Sequence, residues 1–182
     1  MNGAGLANAD MSGAELYAFG THATIDFTDA DLANAKLSGA KLTALSSYED
    51  ATIDFTDANL ANADLSGAKL HVNTGSYGLA ATIDFSNANL ANANLRGAEL
   101  TADAYNSYST IDFTKANLAN ADLTGAKLNA LSSYGTANID FTEANLANAD
   151  LTGARLNAQS PVGTAAINFT ESNLANASLR GA

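Results

Sequence analysis

The sequence predicts an all-β solenoid in which each coil has four short extended sides. Within each long interval of the chain, leucine or phenylalanine recurs at every fifth residue, as at Phe55, Leu60, Leu65 and Leu70. A spacing of five matches neither the 3.6-residue period of a helix nor the two-residue period of a strand. The chain is therefore expected to turn a corner after every pentad. Six of the seven phenylalanines mark a longer repeat of 28 or 30 residues: Phe27, Phe55, Phe85, Phe113, Phe141 and Phe169.

Each pentad predicts the same local geometry. The central Leu or Phe and the residue two positions before it point into the coil, while the other three residues point outward. The residue two positions after the centre forms the corner and alternates between Asn and Gly on two of the sides, as at Asn62 and Gly67. These residues adopt turn conformations at low cost. Counted this way, the chain holds 26 pentads, or about 6.5 coils of four.

The blocks Ala58-Asn59-Leu60-Ala61-Asn62 and Ala63-Asp64-Leu65-Ser66-Gly67 match the A-(D/N)-L-x-x consensus as they stand. In these residues the chain resembles the pentapeptide-repeat family, and about 130 of its 182 residues follow the pattern. The resemblance implies a right-handed quadrilateral β-helix. We expect one solenoid domain over residues 1–182, with one loop insertion per coil that the commonest members of the family lack.

Composition excludes several classes of protein. The chain has 8 basic and 19 acidic residues, a net charge of −11, and no cysteine, so disulfides and thiolate metal sites are excluded. The acidity argues against direct nucleic-acid binding. No apolar stretch is long enough for a membrane span, and the first residues lack a signal peptide, which favours the cytoplasm. No catalytic, metal or cofactor motif is found, so the sequence predicts no enzyme and no cofactor.

Most of the negative charge falls on one side of the solenoid. The Phe-centred pentads carry nine outward acids against Lys115 alone, a sum of −8. One interpretation is a solubilising face whose repulsion is relieved by solvent, backbone donors and neighbouring threonines. The other is a docking surface for a basic partner or for cations. Its candidate binding residues are expected to stack about 4.8 Å apart: Asp26, Asp54, Asp84, Asp112 and Asp140.

Asparagines form columns on the next side of the coil, both at the position before the central Leu and at the corner. We expect them to be structural ladders of amides hydrogen-bonded between coils. A flat Asn/Ala surface that packs on another protomer is the alternative. The first column comprises Asn59, Asn89, Asn117, Asn145 and Asn173.

The insertions cover residues 19–24, 45–52, 73–82, 103–110, 131–138 and 159–166. They are expected to project as stacked loops along one edge, beside the acidic side. Either their apolar members pack down on that edge (Phe19, Leu45, Leu79, Leu131 and Val162), or their tyrosines form a recognition ridge, because loops on rigid scaffolds often bind partners. Tyr105 is one of these tyrosines, and the candidate binding residues are Tyr48, Tyr77, Tyr108 and Tyr134.

The pattern starts by residue 4 and continues to Ala182 without a capping helix. Terminal solenoid coils need polar caps, so we expect either a fragment of a longer chain or end-to-end stacking on other copies.

These features predict a non-enzymatic structural or protein-interaction scaffold whose partner is an unidentified protein. The alternative follows from the family resemblance, because its quinolone-resistance members mimic DNA in shape and charge and bind DNA gyrase. This chain departs from them, since its acid lies mostly on one side and it is expected to lack their dimerising C-terminal module. A third hypothesis, ice binding by the column that contains Thr28 and Thr56, is disfavoured by the flanking aspartates.

Overall fold

The structure, a computed structural model, describes residues 1–182 and confirms the predicted fold. The chain winds into a quadrilateral β-helix of about six turns built from parallel sheets, without any helix. It therefore contains no helix long and apolar enough to span a membrane.

Two sides of the coil form continuous parallel sheets of six strands. The odd-numbered sheet contains β1 (Glu15–Gly20), β3 (Lys41–Ser46), β5 (Lys69–Thr74), β7 (Glu99–Ala104), β9 (Lys127–Ser132) and β11 (Arg155–Gln159). The even-numbered sheet contains β2 (Ala23–Asp26), β4 (Ala51–Asp54), β6 (Ala81–Asp84), β8 (Ser109–Asp112), β10 (Thr136–Asp140) and β12 (Thr164–Asn168). The other two sides are joined between coils by single-residue bridges, such as Asp31 to Asn59 and Lys36 to Asp64. The strands stack in register, so that equivalent residues of successive coils form columns.

Three of the four corners are tight turns made by residues in the left-handed conformation. Asn62 and Gly67 have φ angles of 59° and 62°, as their residue types predict. The corner after the Phe pentad has the same geometry, although Asp57, Lys115 and Glu143 occupy it in different coils, with φ of 58° or 59°. A side chain with Cβ pays about 1 kcal/mol or more for this conformation. The third corner is therefore a strained position that the sequence pattern does not reveal.

The core is a set of columns that run along the axis of the solenoid. Phe55, Phe85 and Phe113 are fully buried, and their rings stack with centroid distances of 4.8 and 5.0 Å and nearly parallel planes. Columns of buried Leu, Ile and Ala complete the interior. Small alanines occupy most of the positions two residues before the central leucines, whereas isoleucine occupies that position before each central phenylalanine. The aromatic residues thus contribute to the core as an ordered stack.

The insertions are loops only at their tips. In the second coil, strand β3 continues through Leu45 and Ser46, and β4 begins at Ala51, so that four residues remain for the tip. The extended strands bury small side chains such as Ala44, Ala51 and Ser46. Each insertion therefore widens the two sheets into a thin sandwich beyond the quadrilateral core. This sandwich does not bury all of the apolar insertion residues, because Phe19, Leu79 and Val162 are exposed by 70%, 55% and 68%.

A buried serine hydroxyl links the tips of neighbouring coils. Ser132 Oγ donates to the carbonyl of Ser107 at 2.8 Å and accepts from the amide of Gly135 at 2.9 Å. Ser46 and Ser160 make equivalent pairs of hydrogen bonds. Thr74 occupies the same register position as Ser46, but its buried hydroxyl has no partner.

Candidate protein-binding surface

The acidic column lies on the outer surface of the even-numbered sheet, where each member ends its strand. Asp26, Asp54, Asp84, Asp112 and Asp140 are in register, and Asn168 continues the column into the sixth strand. All five aspartates are partly buried. The structure therefore brings the predicted carboxylates into one row, one coil apart.

One oxygen of every aspartate in the column binds the chain itself. Oδ1 accepts the backbone N–H of the residue two positions later, as in Thr56 to Asp54 at 2.8 Å and Thr114 to Asp112 at 2.7 Å. Ser86 and Thr142 also donate their hydroxyls to Asp84 and Asp140. These donors are the ones that the first interpretation invokes to relieve the repulsion. Only Asp140 uses its Oδ2 as well, accepting from Asn138 at 3.3 Å.

The pKa values of Asp26, Asp84 and Asp140 are shifted in different directions. Burial raises the pKa of Asp84, with smaller opposing effects from Ser86 and further raising by the charges of Asp112 and Asp54. The backbone N–H of Thr28 lowers the pKa of Asp26. Burial also acts to raise the pKa of Asp140, but its hydrogen bonds, first those from Thr142, leave it lowered.

A second row of side chains lies at the strained corner beside the column, and its members are exposed. Asp29, Asp57, Glu143 and Glu171 place four more acids there. Lys115 is the one base of this side, and it lies 3.8 Å from Glu143. The charge of this surface is consequently almost all negative.

The tyrosines lie at the tips of the insertions and remain exposed. Tyr48 and Tyr77 form a stacked pair with a centroid distance of 6.0 Å, and Tyr105 and Tyr134 form an edge-on pair at 5.4 Å. The neighbouring Tyr134 hydroxyl raises the pKa of Tyr105. Exposed fractions of the predicted residues range from 53% for Tyr134 to 77% for Tyr77. The tips thus carry two exposed aromatic pairs.

The acidic column and the tyrosines do not form one site. Tyr108 precedes β8 and Asp112 ends it, so the two rows lie at opposite ends of the even-numbered strands, about 13 Å apart. A ligand that contacts both rows must extend across the whole strand.

The asparagine column before the central leucines is a hydrogen-bonded ladder, as the sequence predicts. Each Nδ2 donates to the Oδ1 of the preceding coil, from Asn89 to Asn59 at 3.1 Å and from Asn117 to Asn89 at 3.2 Å. The ladder ends on Asp31, which accepts from Asn59 at 3.1 Å. Among the corner asparagines only Asn176 and Asn148 are linked in this way. This side is therefore occupied by internal hydrogen bonds.

The two histidines lie apart from the column. His22 is 3.8 Å from Glu49 at a tip, and His71 lies in the middle of β5. No group of three acidic or histidine side chains is arranged to hold a metal ion.

The repeated pentads, their left-handed corners and the stacked coils define the chain as a pentapeptide-repeat solenoid. The family model for pentapeptide repeats matches eight copies over residues 25–44, 53–71, 83–102, 109–129 and 137–157. Because these segments make up more than half of the chain, it belongs to the pentapeptide-repeat family.

Several solved structures resemble the chain at low sequence identity. QnrB1, a plasmid-mediated fluoroquinolone resistance protein, is 15% identical over 100% of this chain and 84% of its own, with a TM-score of 0.36. A protein of the Arabidopsis thaliana thylakoid lumen is 25% identical over 85% and 70% of the two chains (TM-score 0.25). Rfr23 from the cyanobacterium Cyanothece 51142 is 21% identical over 92% and 85% (TM-score 0.24). No curated protein matches the chain in sequence.

Proposed function

We propose that this chain is a non-enzymatic scaffold that binds a basic protein partner along the acidic column. The observation that carries the proposal is the row of five in-register carboxylates on a flat, rigid sheet. In Asp26, Asp54, Asp84 and Asp112, Oδ1 is bound to the chain while Oδ2 accepts no hydrogen bond from it. Each of these carboxylates is thus held in position with one oxygen free for a donor from the partner.

The form of the surface supports binding rather than catalysis. Acid and base catalysis needs carboxylates in a cleft that excludes water and separates their pKa values. The acidic column stands on the outside of a flat sheet, in contact with solvent. The exposed tyrosine pairs offer a second contact surface, since tyrosine is enriched in protein interfaces.

The test compares two triple variants that remove the same charge from different sides of the coil. The first changes Asp54, Asp84 and Asp112 to Asn, which is tolerated because Asn168 occupies the same column and accepts the same backbone hydrogen bond. The control changes Asp64, Asp122 and Asp150 to Asn, in a column where Asn94 is the natural residue.

Binding of cytochrome c, used as a basic protein probe, is measured by calorimetry at low salt. We expect the first variant to bind about tenfold more weakly than the unmodified chain and the control to be nearly unchanged. Equal loss in both variants would mean that only net charge matters and would contradict the proposal.

A DNA mimic that binds DNA gyrase is the second candidate, and the continuous acidic column is the observation that favours it. The second row of side chains, at the strained corner, argues against a DNA mimic. There Asn87 and Lys115 interrupt the series of acidic residues in the middle of the rod. A supercoiling assay decides this case. A DNA mimic inhibits gyrase or relieves its inhibition at micromolar protein, and the first triple variant loses that effect.

A further inference from the structure

A shallow depression opens on the outer surface of the odd-numbered sheet, beside the tips of the last coils. Asp103, Leu131 and Gln159 line it from the three adjacent strands β7, β9 and β11, where they are in register. Ser132, Ser133 and Pro161 complete its border. The depression lies on a different sheet from the acidic column.

Asp103 is a carboxylate without a partner in the chain. The insertions contain two other acids: Glu49 lies 3.8 Å from His22, and Asp50 accepts the backbone N–H of Ala80 at 2.9 Å. Asp103 makes neither an ion pair nor a hydrogen bond, and the insertions hold no Lys or Arg. An unmatched negative charge at the edge of a depression is complementary to a cation.

The other walls of the depression identify which cation fits. Leu131 and Pro161 are aliphatic and suit the methylene stem of a long basic side chain. The paired rings of Tyr105 and Tyr134 come two residues after Asp103 and one residue after Ser133 in the chain, outside the lining of the depression. A planar guanidinium pairs with a carboxylate through two hydrogen bonds and stacks on aromatic rings, which an ammonium does not.

We propose that this depression binds an arginine side chain of a protein partner. The inference rests on the proposed function only in assigning the arginine to a protein. Asp103 accepts the guanidinium N–H groups, and the aliphatic wall covers the stem.

The test is a titration of the full chain with N-acetyl-arginine amide, followed by amide chemical shifts in NMR. We expect shifts at Asp103, Leu131 and Ser133, and weaker binding by about tenfold in Asp103→Asn, since one charged hydrogen-bonded pair is lost. This substitution is conservative because Asn73 fills the same register position on the neighbouring strand. The citrulline and lysine analogues are expected to bind at least about fivefold more weakly.

The matched control is Asp57→Asn, which removes one exposed charge at a distant corner where Asn87 is the natural residue of the next coil. It should leave the affinity unchanged. Equal loss in both variants, equal binding of citrulline or lysine, or shifts confined to the acidic column would each overturn the proposal. The triple variant of the acidic column should bind the arginine probe normally, so failure of the scaffold proposal and failure of this one give different results.

Discussion

At the scale of single residues, two aromatic side chains of similar size lie in opposite environments. Phe85 is fully buried and contacts a stacked ring on both sides, whereas Tyr77 is an aromatic residue 77% exposed at a tip. The two side chains have similar size, so their substitution separates the contribution of the core stack from that of the surface.

Phe85→Ala is expected to lower the free energy of unfolding by about 3–5 kcal/mol, because it leaves a cavity between two rings that the rigid coil cannot close. Tyr77→Ala is expected to change it by less than about 0.5 kcal/mol. Urea denaturation followed by circular dichroism measures both. A small effect of Phe85→Ala would show that the neighbouring coils collapse into the space.

Thr74 and Ser132 provide a second pair, because the same kind of hydroxyl is unpaired in one and fully bonded in the other. Thr74→Val removes a buried polar group without a partner and is expected to be neutral or to stabilise by about 1 kcal/mol. Ser132→Ala loses two hydrogen bonds and is expected to destabilise by about 1–3 kcal/mol. Thermal unfolding of the two variants in parallel gives the comparison, and destabilisation by Thr74→Val would contradict it.

At the scale of strands and corners, the pentads could be predicted from the sequence and the strand extensions could not. The inward residues and the Asn and Gly corners follow from the five-residue spacing. In β3, however, burial alternates through Leu42, Ala44 and Ser46, which continues the strand past its pentad. That two-residue alternation was present in the sequence, but small residues carry little of the hydrophobic signal by which alternation is recognised.

The sequence predicts one of the two candidate sites and not the other. The acidic column follows directly from in-register stacking, since every Asp precedes a Phe. The Asp103 depression cannot be predicted from in-register stacking. Asp103 is aligned with Leu131 and Gln159, and no repeated residue type marks the position. Only the three-dimensional extension of the odd-numbered strands brings these residues together.

The even-numbered sheet makes stability depend on pH in two opposite directions. Asp84 has a raised pKa when folded, so its contribution to stability is present when it is protonated and is lost as pH rises through that pKa. Asp84→Asn is therefore expected to raise the free energy of unfolding at pH 7, and the gain should disappear as the pH falls below about 4, where aspartates protonate.

Asp140 provides the contrast, because its pKa is lowered when folded. Its contribution is present at neutral pH and is lost as pH falls through the lowered pKa. Asp140→Asn is thus expected to destabilise at pH 7 and to have less effect in acid. Urea unfolding of both variants at several pH values tests the two signs, and the same sign for both would contradict the assignment.

At the scale of the whole molecule, the solenoid is a rod with one strongly negative side. Carboxylates repeat with the coils, and the stacked rings give a coil separation of 4.9 Å. Adjacent like charges at this distance repel by an energy on the order of 1 kcal/mol in water-like surroundings. Because salt screens this repulsion, the stability of the rod should depend on ionic strength.

The free energy of unfolding is expected to rise between low salt and about 0.5 M sodium chloride, where the screening length is only a few ångströms. The triple variant at Asp54, Asp84 and Asp112 should gain less than the unmodified chain, and the triple variant at Asp64, Asp122 and Asp150 should gain nearly as much. Denaturation at constant urea and varied salt measures the difference. Equal gains in all three would place the repulsion elsewhere.

The asparagine ladder gives the rod an electrical direction in addition to its charge. Every side-chain amide from Asn59 to Asn173 donates toward the preceding coil, so the N–H ends all face the N-terminal coils and the oxygens face the C-terminal ones. These amide dipoles add along the axis, as peptide dipoles do in a helix. Asp31, which can only accept, stands at the positive end of the row. The two ends of the rod are therefore electrically unequal.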